Sequence, residues 1–93
     1  MDDQLFDWDH ANITHIAEHD VTPEEAEEVV LGNPLELGCD EEEEEPRWTY
    51  LGETLNLRIL QIVVTTRGEK VRVVTAFEPI RRFKQIYLDS KVK

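Results

Sequence analysis

Leu57 to Thr66 is the strongest strand signal in this chain, and it constrains the fold more than any other segment. Leu57, Ile59 and Val63 fall on one alternating face, and Leu60, Ile62 and Val64 fall on the other. A strand that is apolar on both faces belongs in the middle of a sheet covered from two sides. Gly68 marks a turn into a second strand over Val71–Phe77, so the two read as a hairpin. Arg47–Leu51 and Pro34–Cys39 read as further strands. Leu5–Trp8, which alternates apolar and acidic residues, reads as a short opening strand.

Helix signals frame this sheet. Asp9 can cap a helix over residues 10–18 whose buried stripe would be Ile13, Ile16 and Ala17. Thr22, Pro23 and Glu25 form a capping box with proline at the first helical position. That helix buries Ala26, Val29 and Val30 and can end at Gly32 in a left-handed turn. Pro79 can open a last helix with Ile80, Phe83 and Ile86 or Tyr87 inward and Arg81, Arg82 and Lys84 outward. The expected class is α+β: an antiparallel sheet of three to five strands, two N-terminal helices and one C-terminal helix. Residues 1–93 are the size of one domain.

Charge is segregated along the chain. Residues 1–46 carry 17 Asp/Glu and no Lys/Arg, whereas residues 47–93 carry 4 Asp/Glu and 10 Lys/Arg. The halves stand at −17 and +6 within the net −11, so the back half suits a polyanion and the front half repels one. Cys39 is the only cysteine, which excludes an internal disulfide or a multi-thiolate zinc site. No apolar run is long enough to span a bilayer, and Met1-Asp2-Asp3 is acidic where a secretory signal would be basic. A cytoplasmic protein with no membrane contact is expected.

Asn12, His15 and His19 lie at i, i+3 and i+7 of the first helix, within one sector. Two imidazoles four residues apart can pack against the sheet, act on a phosphate or its protons, or share a metal. No third ligand has the spacing of a known metal motif, and no cofactor is implied. Arg47, Arg58, Arg67, Arg72, Arg81, Arg82 and Lys84 come from successive strands and the last helix. They would either form a cationic groove for RNA or neutralise the acidic front half within the fold. The acids Asp40–Glu45 read as a solvated loop, or as a competitor for nucleic acid if they lie over the basic surface. Trp8, Trp48 and Tyr50 read as core or sheet-face residues before base-stacking platforms. Tyr87 fits core packing, or a phenolic proton donor. No Gly-rich phosphate loop, nucleophile elbow or Walker motif is present.

The series Phe6-Asp7-Trp8-Asp9, Asn12-Ile13, His15-Ile16-Ala17, His19, Val21-Thr22-Pro23-Glu24-Glu25 and Glu28 resembles the N-terminal part of the BrnT-like toxin family. Arg47, Leu51-Gly52, Arg58, Arg72-Val73, Ala76, Arg81-Arg82 and Tyr87 follow in the order of that family's later motifs. The resemblance implies a RelE-like fold and a small ribonuclease toxin of a toxin–antitoxin system, held in check by a DNA-binding antitoxin. It implies metal-independent cleavage of an RNA substrate. His15 and His19 would be the proton-transfer or phosphate groups, Arg72, Arg81 and Arg82 would stabilise charge, and Tyr87 would serve as an acid. Arg47, Arg58 and Lys84 would bind nucleic acid. Three positions depart from the pattern: Asp20 stands where members typically carry Gly, Phe77 where they often carry Arg, and Phe83 where they often carry Glu. The net charge of −11, in a family that is often basic, predicts weakened RNA capture. The other reading is a standalone, non-catalytic member that binds a protein. The two differ in one respect: late arginines clustered beside His15 or His19 favour the nuclease, and arginines bridged singly to acids favour the binding module.

Overall fold

The computed structural model describes residues 5–41 and 44–92; Met1–Gln4, Glu42, Glu43 and Lys93, and with them part of the acidic run and the Met1-Asp2-Asp3 terminus, lie outside the described residues. The elements are α1 (His10–Ala17), α2 (Pro23–Leu31), β1 (Leu35–Asp40), β2 (Arg47–Glu53), β3 (Ile59–Arg67), β4 (Lys70–Phe77) and α3 (Arg81–Ser90). The four strands form one antiparallel sheet in the order β1-β2-β3-β4. This is the α+β layout expected, with two helices before the sheet and one after it.

Leu60, Ile62 and Val64 of β3 are buried beneath α1 and α2, in one cluster with Ile16, Ala26 and Val29. The opposite row, Ile59, Gln61 and Val63, is only half-buried, so the two faces are covered unequally. Leu57 does not belong to the strand. It adopts φ 67° and is 74% exposed, because the buried Thr54 closes a tight turn there. The Thr54 hydroxyl accepts from the Asn56 and Arg58 amides, and its carbonyl accepts from Leu57 N–H. Gly52 lets α2 approach β2: a Cβ there would stand 2.7 Å from Val29 Cγ1 and 3.3 Å from Pro34 Cβ.

Four local expectations need correction. The opening strand shrinks to one parallel bridge, Phe6 to Val71, at the outer edge of β4. On α1 the buried side chains are Asn12 and Ile16, while Ile13 is 38% exposed and Ala17 is exposed. Asn12 takes the inward position because its amide ties loose backbone at that sheet edge, donating to the carbonyls of Asp7 and Val73 and accepting from Asp9 N–H. Gly32 caps α2 at φ −76°, outside the left-handed region. The helix that does end in a left-handed residue is α1, at Asp20 with φ 62° in a Schellman turn: Val21 N–H donates to the Ile16 carbonyl and Asp20 N–H to that of Ala17. Lastly, α3 is anchored by buried Tyr87; Ile80 is exposed as its N-cap and Phe83 is half-buried.

Candidate functional site

The two histidines meet because the Schellman turn folds the chain back directly after α1. His15 stands in the last turn of the helix and His19 just past it, with ring centroids 5.6 Å apart and edge to face. His15 Nε2 is 3.1 Å from the Thr75 hydroxyl, and the His19 ring lies 5.9 Å from that of Phe77. Thr75 and Phe77 reach them through a bulge in β4: Val63 pairs Thr75 while the next residue, Val64, pairs Val73, leaving Val74 extra. A bulge of this kind re-aims the side chains beyond it.

Two shallow depressions flank the imidazoles. The larger, about 590 Å³, is lined by His19, Asp20, Arg58, Thr75, Phe77 and Glu78. The smaller, about 210 Å³, has His15, Arg47, Arg67 and Arg72 on its walls together with Glu45 and Thr65. Arg58, Arg67 and Arg72 do not stand free. Arg58 Nη1 donates to both carboxylate oxygens of Glu25, at 3.0 and 3.1 Å, and Arg58 Nε donates to Glu78 at 3.0 Å. Arg72 Nη1 lies 3.1 Å from Asp9 and 3.5 Å from Asp7. Arg67 pairs with Glu45 at 3.8 Å.

These pairs fix protonation. Desolvation opposes the charge on Arg58, but the hydrogen bonds to Glu78 and Glu25 outweigh it and its pKa is raised. The hydrogen bond to Asp9 raises that of Arg72 against desolvation. The same bond lowers Asp9, and the Arg58 hydrogen bond, with Lys84 adding its charge, lowers Glu78. Arg58, Arg72, Asp9 and Glu78 are therefore held ionised at neutral pH.

Of the residues singled out in the sequence, His15, His19, Arg47, Arg58, Arg67 and Arg72 come together around the depressions. Lys84 joins indirectly, through Glu78 at 3.7 Å. Arg81 and Arg82 are exposed on the first turn of α3, line neither depression, and form no ion pair among the described residues; Arg82 lies over the Phe83 ring instead. Tyr87 is buried and donates to Glu53 at 2.9 Å, and burial followed by that contact pushes its pKa up to about 12. It lines neither depression. Thr75 and Glu78 were not marked by any motif; only the course of β4 past its bulge brings them in. Asp20 and Phe77 were marked, as departures.

Fold and site define a small α+β protein with an open, shallow surface of imidazoles and carboxylate-braced guanidiniums. The family of the ribonuclease toxin BrnT, of type II toxin–antitoxin systems, matches residues 8–81, and the chain belongs to that family. The matched span includes both histidines and the whole sheet and stops at Arg81, at the start of α3. No curated protein and no solved structure matches the chain.

Proposed function

We propose that this protein is a metal-independent endoribonuclease toxin, with His15 and His19 as its proton-transfer pair and a cognate antitoxin that covers the shallow site. The observation that carries the reading is the pair of exposed imidazoles 5.6 Å apart, at the junction of the two depressions. One imidazole takes the proton of a ribose 2′-hydroxyl as O2′ attacks phosphorus. The other returns a proton to O5′ as the P–O5′ bond breaks, leaving a 2′,3′-cyclic phosphate and a 5′-hydroxyl. Arg72, beside His15, faces the charge that develops on the phosphorane oxygens. Thr75 orients the His15 ring.

A non-catalytic, protein-binding role is the second reading. Its support is that Arg58, Arg67 and Arg72 each pair with carboxylates of this same chain. One assay separates the two. The purified chain, incubated with RNA in excess EDTA at low salt, is expected to yield cyclic-phosphate ends. His15→Asn or His19→Asn should each slow this by about a hundredfold or more. Intact RNA, with growth unaffected by expression, would leave the binding module as the function.

A further inference from the structure

The larger depression is poorly suited to a phosphate. Asp20 and Glu78 both line it, and its one guanidinium, Arg58, is already bonded to Glu25, Glu78 and the Asp20 carbonyl. An anion entering there meets the Glu78 carboxylate, with the acidic Asp20 beside it, against a cation that is already neutralised. The smaller depression carries more cation: Arg47, Arg67 and Arg72 stand around His15 with one carboxylate, Glu45, in the lining, and although Arg67 and Arg72 are paired with acids, Arg47 adds a further guanidinium. RNA laid across the imidazole pair would put its backbone on the smaller side and an uncharged group on the larger.

Phe77 and Glu78 specify what that group is. Phe77 is half-buried, with its ring in the wall of the depression and His19 tilted 53° against it. Such a face stacks on any nucleobase. Glu78 is gripped at both oxygens, Oε2 by Arg58 Nε at 3.0 Å and Oε1 by Lys84 Nζ at 3.7 Å, while its side chain stays half exposed. An ionised carboxylate only accepts hydrogen bonds. Guanine alone among the four bases presents two adjacent donors, N1–H and N2–H, that fit two carboxylate oxygens at once. Adenine and cytosine place a ring-nitrogen acceptor beside their amino group, which the carboxylate repels, and uracil flanks its one N–H with two carbonyls.

We propose that this depression is a guanine subsite, in which Phe77 stacks on the base and the Glu78 carboxylate accepts from N1–H and N2–H. The inference rests on the ribonuclease reading, and it gives the enzyme a preference for guanosine beside the scissile phosphate.

The test is titration of the full chain with the four ribonucleoside 3′-monophosphates, followed by amide NMR shifts. All four carry the same phosphate, so differences report the base. Guanosine 3′-monophosphate is expected to bind about tenfold or more tightly than the others, in keeping with one bidentate base contact. Its shifts should centre on residues 75–78. Phe77→Ala should weaken all four alike, and Glu78→Gln should abolish the guanine advantage; the wild-type comparison stands even if Glu78→Gln unfolds. Equal affinities, or shifts centred elsewhere, would overturn the subsite. RNA cleavage without base discrimination ends the subsite and leaves the nuclease. Discrimination without cleavage keeps the guanine site and removes the catalysis.

Discussion

Asp9 caps α1 through its side chain and also braces Arg72, so one carboxylate serves both a helix end and the site. The first role was readable from the residue alone, because a cap acts within three positions of itself. The second was not, since Arg72 lies far along the chain on β4. That pairing gives a pH prediction. Asp9 and Glu78 have folded-state pKa values below those of free carboxylates, so their stabilising effect is full above about pH 5 and is lost as pH falls through their folded values. Asp9→Ser keeps an N-cap acceptor but removes the ionised partner. Its thermal midpoint should therefore decline less steeply than wild type between about pH 4 and 2. Parallel slopes in the two proteins would show that the Asp9–Arg72 pair contributes nothing to stability.

At the level of elements, α2 was the most legible, because its signals are contiguous: the Thr22–Glu25 capping box forms, and Ala26 and Val29 are buried as read. α1 was less so. Eight residues bury only two side chains, and Asn12 displaces Ile13 from the inward face because open carbonyls at the β4 edge need donors. His15 and His19 were placed on one helix by spacing. They are together, but through a Schellman turn rather than a continuous helix. The α2–β2 contact supplies the prediction for this scale. Gly52→Ala pushes a methyl group to within 2.7 Å of Val29 Cγ1 and should destabilise the fold by about 1–3 kcal/mol, measured by urea unfolding. A neutral result would mean that α2 and Pro34 yield without cost.

Across the whole molecule, the acidic front and basic back of the chain are interleaved in space. Arg58 reaches Glu25, Arg72 reaches Asp7 and Asp9, and Arg67 reaches Glu45. Acids still outnumber cations 21 to 10, so self-repulsion outweighs what these half-exposed pairs contribute. Raising NaCl from about 0.05 to 0.5 M should therefore raise the melting temperature, while RNA binding weakens over the same range. A fall in melting temperature would show that the ion pairs outweigh the excess negative charge. The sequence by itself determined the class of fold, the α2 cap and the excess of acid, because periodicity, capping and net charge are local or additive. Only the tertiary structure decided which arginine meets which carboxylate, that Tyr87, Arg81 and Arg82 stand outside both depressions, and that Phe77 and Glu78 share one with His19. Those are contacts between residues distant along the chain, set by strand register and one bulge, and no pattern of neighbours encodes them.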